Sequence, residues 1–355
     1  MGLVSAYCRS RWHGGVPADA PQTISEAFDR IDEVYNSGKP FFTKDSIRAV
    51  YVQFQRSTNR GDKVLVKDVA GTLIEYTLRT GETFIWRLSS EQEEEEWLIQ
   101  QPILHYHGRG HLKETLRIMY QDAHYEPEKT SPLRSLQVYH KSEKLVSGTE
   151  ELFQDPTLPS YDDLNTIFKE QIQIWQESEM CERVTQILNS SAAGLNIRKV
   201  VAVALGGISK DVGHRSAFQH ALVVTLREWF DDQQQSVCCY AQDPEYKAVD
   251  KAVLQAHGVI AIDDPRAWLE VDERSILFSC APNVPVKEIV ADITRPAVII
   301  WERIDSKDYD VEEEGKVTDP CTPRVRTMLE GYEVLEFGAD DHFSSTVIYI
   351  RRCKG

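Results

Sequence analysis

The residues best able to do chemistry in this chain fall at four breaks between apolar runs. The first is Gly206-Gly207-Ile208-Ser209 with the following His214-Arg215-Ser216. Glycines after an apolar strand let a ligand approach the backbone, and a helix start with an arginine attracts a phosphate or carboxylate. The pattern is neither G-x-G-x-x-G nor a P-loop, so a tight structural turn stands beside the ligand-binding reading. The second is Asp243, before Pro244, at the end of the next apolar run. An acid there accepts hydrogen bonds from ribose hydroxyls in doubly wound sheets, although it lies farther along than the roughly twenty residues usual for that role. An Asp-Pro turn is the plain alternative. The third is Ser279-Cys280-Ala281-Pro282-Asn283, where Asn283 between two prolines offers a donor and an acceptor; Cys280 has no base nearby in sequence to make it a nucleophile. Trp301-Glu302-Arg303 is the fourth and weakest.

Away from these, His105, His107 and His111 form H-x-H-x-x-x-H, a spacing that zinc or iron could use. No carboxylate or cysteine completes the set, and Gly108 and Gly110 read as loop, so loop and cap histidines are the expectation and no metal is assigned. The run Glu91–Glu96 reads as the solvated start of a helix over Glu91–Gln100, capped by Ser90.

The elements that must position the four breaks form one regular alternation. Val200–Leu205 is an apolar, β-branched run of the kind buried on both faces of a parallel sheet, and Ala217–Phe230 follows with helical period. Strands are then expected at Ser236–Tyr240, Val259–Ile262, Ser275–Ser279 and Ala297–Trp301, separated by helices at Glu245–His257, Asp264–Glu270 and Val286–Asp292. Such spacing means βαβ units. A helix at Pro323–Gly331 and two last strand runs, Tyr332–Phe337 and Thr346–Ile350, predict a closing antiparallel hairpin. The fold class is therefore α/β: a Rossmann-like, mostly parallel sheet with flanking helices and a C-terminal antiparallel hairpin.

Upstream, residues 1–20 lack periodicity and read as a mobile arm. Residues 21–150 read as an α+β region. Thr23 caps an amphipathic helix through Asn36, a second helix contains Ile47, Val50, Tyr51 and Phe54, and Lys63–Val69, Gly71–Leu78 and Thr83–Leu88 suggest a small antiparallel meander. A helix at Leu112–Tyr120 and a strand at Leu133–Tyr139 follow. Residues 151–355 hold the Rossmann-like part, with helices at Tyr161–Gln176 and Ser178–Leu188 as a lead-in.

The formal net charge of -16 argues against nucleic acid or anionic membrane as a partner, since both need a basic footprint. No run reaches the roughly 18–20 apolar residues of a membrane span, and the N-terminus lacks the apolar core of a secretory signal. Seven scattered cysteines without CxxC point to a reduced compartment, cytoplasm or nucleus; Cys238, Cys239 and Cys280 fall in expected buried strands.

The strand VVAVALGGIS, the helix with Arg215, Ser216 and Gln219-His220-Ala221-Leu222, the Asp243-Pro244 pair and LFSCAP over Leu277–Pro282 resemble the sensitivity-to-red-light-reduced (SRR-like) domain family. The resemblance covers about Arg198–Arg303. Family members often carry Met-Pro-His-Cys after the fourth strand; here the place reads Cys280-Ala281-Pro282-Asn283, so a role resting on that histidine does not carry over. The resemblance implies a regulatory protein linked to clock and light signalling or haem metabolism, without a defined reaction. Haem itself is not supported by motif, since no Cys-Pro pair occurs. On this reading Gly206, Gly207, Ser209, His214, Arg215, Gln219, Asp243, Pro282 and Asn283 line a crevice for a small adenine-type ligand, with protein partners besides. The alternative is a methyltransferase using S-adenosylmethionine, which places a glycine turn, an acid and a polar Pro-Asn loop at the same edges. It lacks the acid-plus-GxG turn. An NAD-type oxidoreductase lacks its fingerprint.

Overall fold

A computed structural model describes the chain except for residues 1–4, 57, 87–93, 120–130, 147, 150, 154, 193, 211–214, 305–314, 339 and 353–355. It divides into two units, Met1–Pro156 with Asp310–Val317, and Thr157–Tyr309 with Thr318–Gly355.

The first unit opens with β1 (Ser5–Tyr7) and β2 (Arg9–Trp12), so the expected mobile arm contributes two paired strands before residues 13–20 run on as turns and irregular chain. Pairing overrides the missing periodicity: each strand is short and completes an edge supplied by residues far along the chain. Helix α1 (Ile24–Asn36) starts where Thr23 accepts from the Glu26 N–H at 3.2 Å, and α2 (Lys44–Arg56) follows. Then come β3 (Lys63–Lys67), β4 (Leu73–Thr77), β5 (Thr83–Trp86), β6 (Glu95–Tyr106), α3 (Arg109–Met119) and β7 (Leu136–Lys144). Two small antiparallel sheets result, ordered β2-β4-β3 and β1-β7-β6-β5. The third strand of the expected meander thus pairs in the other sheet.

The acidic helix is replaced by strand over residues 95–100; residues 91–93 lie outside the described residues. Trp97 and Ile99 are buried on alternate positions, a period of two, and Pro102 at a bulge in the β6–β7 pairing excludes a helix running on. His107 stays in the break between β6 and α3, whereas the other two histidines leave the expected loop. His105 lies in β6 with its ring stacked on Tyr139 at 4.0 Å, and His111 lies in α3. Burial holds His105 down to about 4 and His107, whose Nδ1 is shut from solvent, to about 3. Among the described residues no group of three or more His, Cys, Asp or Glu is arranged to hold a metal.

The second unit begins with α4 (Tyr161–Gln176) and α5 (Glu179–Ile187), capped by Ser160 and Ser178. The alternation expected from sequence follows: β8 (Lys199–Val203), α6 (Arg215–Asp232), β9 (Cys238–Gln242), α7 (Ala248–Ala256), β10 (Ile260–Ala261), α8 (Arg266–Glu270), β11 (Ser275–Phe278), α9 (Val286–Ile293) and β12 (Val298–Glu302). Helix α10 (Pro323–Leu329) and strands β13 (Tyr332–Leu335) and β14 (Thr346–Arg351) close the chain. The sheet runs β10-β9-β8-β11-β12-β14-β13; the first five are parallel, and β14 is antiparallel to both β12 and β13.

Side-chain alternation gives this sheet two apolar faces. Val200, Ala202, Ile276, Phe278, Val298 and Ile300 join a core with α4, α5, α6 and α7. Val201, Leu277, Ile299 and Trp301 point the other way, the side of α8, α9 and α10. Helix α6 is buried on almost every face, including polar Gln219, His220 and Thr225, because α4 and α5 pack over it; Thr225 accepts from Trp175 Nε1 at 3.0 Å. Cys239 and Cys280 are buried, whereas Cys238 is exposed, at the start of β9. Among the described residues no helix is long and apolar enough to cross a membrane.

Candidate functional site

The strand order reverses between β8 and β11, so the sheet's topological switch point lies at their carboxyl ends. Ligands of open α/β sheets bind in the crevice outside such a point. The backbone is strained on both sides of it. Ala204 after β8 has φ +57° and Ala281 after β11 has φ +49°, left-handed conformations that cost a non-glycine residue about 1–3 kcal/mol. The surrounding structure must enforce both.

The glycine turn explains part of that enforcement. Gly206 has φ +76°, and a Cβ there would stand 2.7 Å from Ser216 Oγ, which donates to the Leu205 carbonyl at 2.8 Å. The Gly206 N–H donates to Asp243 Oδ2 at 2.7 Å, and the Glu245 N–H donates to Asp243 Oδ1 at 2.8 Å. Burial pushes the Asp243 carboxyl up, against the pull of these two N–H groups. A second carboxylate, Asp250 in α7, holds the rest of the turn. It accepts from Ser209 N at 2.6 Å, Ser209 Oγ at 3.0 Å and Lys247 N at 2.7 Å, and it is fully buried beside Gly207.

Helix α6 is tied to the same loop from below. His220 Nδ1 lies 2.6 Å from the Ser216 carbonyl, which can only accept, so Nδ1 carries the proton and Nε2 accepts from the Tyr246 hydroxyl at 2.7 Å. Burial keeps this histidine neutral, down to about 4. Tyr246→Phe leaves His220 Nε2 buried without a donor. Urea unfolding is expected to show a loss of about 1–3 kcal/mol, while an unchanged midpoint would mean the pair is idle.

The structure therefore joins Gly206 to Asp243, and Gly207 and Ser209 to Asp250. Arg215 and Gln219 go elsewhere. Arg215 Nε donates to the Asp341 carbonyl at 3.0 Å and Gln219 Nε2 to the His342 carbonyl at 2.7 Å, so both hold the loop between β13 and β14. Cys280 reaches the same loop, its Sγ 3.7 Å from the Phe343 carbonyl. That loop forms the second wall of the edge. Pro282 is half-buried and Asn283 exposed after β11, and His214 lies outside the described residues. Glu302 meets Lys287 at 3.3 Å, Arg303 pairs with Glu336, and Trp301 is buried.

Sequence reasoning missed Tyr246, Asp250, Asp340 and His342 as site residues. The Asp340-x-His342 spacing was a usable signal; Asp250, three residues past Lys247 at the start of a helix, was hidden because lysine is not an N-cap type.

A parallel sheet with a switch-point crevice and a closing antiparallel hairpin defines a Rossmann-like α/β unit. A family model described as the SRR1 domain matches residues 170–350, and the chain belongs to that family. Among curated proteins nothing matches. Among solved structures, a Haemonchus contortus phospholethanolamine N-methyltransferase 2, in complex with phosphomonomethylethanolamine and S-adenosylhomocysteine, is 9% identical. That alignment covers 73% of this chain and 64% of the other, with a TM-score of 0.27, and bears on neither fold nor function.

Proposed function

We propose that the Rossmann-like unit is a regulatory binding module holding an adenosine-type ligand at the switch point. The observation that carries this reading is the fixed Asp243 carboxylate. It is half-buried, and each oxygen is oriented by one backbone N–H from the turns around it. Each oxygen keeps a further lone pair, the arrangement a ribose diol needs. Family membership supports a regulatory role of the kind linked to clock and light signalling or haem metabolism, in cytoplasm or nucleus and with protein partners. The acidic charge speaks against nucleic acid and membrane surfaces.

The test is titration calorimetry with S-adenosylmethionine, S-adenosylhomocysteine, NAD(P) and ATP. One of them is expected to bind, with at least about tenfold weaker affinity in Asp243→Asn, whose amide keeps the side-chain size but replaces one acceptor oxygen. No binding by any of the four, or binding unchanged in the variant, overturns the reading. A second reading, S-adenosylmethionine-dependent methyl transfer, is favoured by the closing hairpin after five parallel strands. It requires that a labelled methyl group pass from S-adenosylmethionine to an acceptor in cell extract; binding without any transfer removes it.

A further inference from the structure

Three consecutive carbonyls, those of Asp341, His342 and Phe343, are held by Arg215, Gln219 and Cys280, so the second wall of the crevice is fixed in place. The wall carries an oriented imidazole. His342 Nδ1 lies 2.9 Å from Asp340 Oδ2, and its ring stacks on Phe218 at 4.1 Å with planes 17° apart. A carboxylate only accepts, so the proton of the neutral ring sits on Nδ1 and Nε2 is an acceptor. Among the described residues Nε2 has no partner, and the side chain is about one-third exposed.

We propose that this wall receives a hydrogen-bond donor, most favourably an ammonium, carried on the 5′ substituent of the ligand. The inference rests on the adenosine reading above and narrows it to nucleosides with an aminoacyl-type 5′ chain, against those with 5′ phosphates. Charge points the same way. Against the cost of partial burial, the bonds from the His342 ring and from the Phe343 and His342 N–H groups hold Asp340 below the usual carboxylate range. Asp340 and Glu302 both act on Cys280, Arg215 and Lys287 oppose them, and Asp341 adds a further carboxylate to the loop. Carboxylates outnumber cations here, so a polyanionic phosphate chain is repelled, while a zwitterionic aminoacyl end can turn its ammonium to the wall. Reach agrees as well. From Asp243 after β9 to the loop beside β11 and β12 is two to three strand spacings, ~10–14 Å, which calls for a substituent several bonds long.

Calorimetry with S-adenosylhomocysteine, 5′-methylthioadenosine and ATP tests this, since the first two share the thio-nucleoside and only the first carries the ammonium. S-Adenosylhomocysteine is expected to bind about tenfold tighter than methylthioadenosine at pH 8, with ATP weakest. His342→Phe keeps an aromatic ring against Phe218, and it should bring S-adenosylhomocysteine down to the level of methylthioadenosine while leaving the latter unchanged. Equal binding of the two thio-nucleosides by the wild type, or ATP as the tightest ligand, overturns the inference and leaves the adenosine reading standing. Failure of the wild type to bind any of them overturns both.

Discussion

Replacing Asp250 with alanine is expected to lower the unfolding free energy of the Rossmann-like unit by about 3–5 kcal/mol, read as a fall in the urea midpoint at unchanged slope. One buried carboxylate accepts from two backbone N–H groups and the Ser209 hydroxyl. Truncation leaves these donors without their acceptor in a fully buried place. Hydrogen bonds to a charged group contribute about 1.5–3 kcal/mol each, and the lower part of their sum already reaches this range. Asp250→Asn separates geometry from charge: an amide oxygen still accepts, but its NH2 faces donors, so a loss nearly as large is expected. A loss under about 1 kcal/mol in Asp250→Ala would show that the turn after β8 is held by something other than this carboxylate.

The sequence made the sheet legible because its signals were redundant. Five apolar runs separated by helical spacing permit one class of architecture, and the runs over Val200–Leu205 and Ala297–Trp301 lie on β8 and β12 within two residues at each end. Where a single signal stood alone it failed. The glutamate run before Trp97 suggested a helix dipole, but Trp97, Ile99 and Pro102 follow strand rules, and pairing with β7 decided the outcome. The opening arm showed no period because three- and four-residue strands are too short to display one.

The site was half legible for a related reason. Gly206 and Asp243 are near the ends of adjacent strands, so topology alone brings them together. Arg215 and Gln219 were read as ligand contacts because nothing local showed that their partners lie more than a hundred residues ahead. Long-range satisfaction of a backbone carbonyl leaves no trace in spacing.

Lys287→Met should produce a comparable loss with a different dependence on pH. Lys287 Nζ lies 3.2 Å from Asp319 Oδ2, 3.1 Å from the Asp319 carbonyl and 3.3 Å from Glu302 Oε2, and its own N–H donates to Asp319 Oδ1 at 2.8 Å. Burial alone would lower the lysine, but the facing carboxylates hold it above its ordinary range; burial pushes Asp319 up to about 6 in spite of the lysine. One cation is shared between two carboxylates, so the pairing sustains Lys287 better than it relieves Asp319. A carboxyl raised in the folded state binds its proton more tightly there than in the unfolded chain, near 3.9. Its contribution to stability therefore falls as pH rises from about 4 to about 6 and stays low above that, the reverse of a salt-bridged surface aspartate. Without Lys287 the carboxylate has lost its buried partner, and about 3–5 kcal/mol should disappear at pH 8. Acidification then supplies the proton that the ammonium had stood in for. At pH 5 much of the lost stability should return, and Asp319→Asn in the same background should restore stability at pH 8 as well. Urea midpoints of Lys287→Met and of the double variant at the two pH values test both statements: a deficit independent of pH, or one untouched by Asp319→Asn, would place the cost in lost packing of the lysine stem instead.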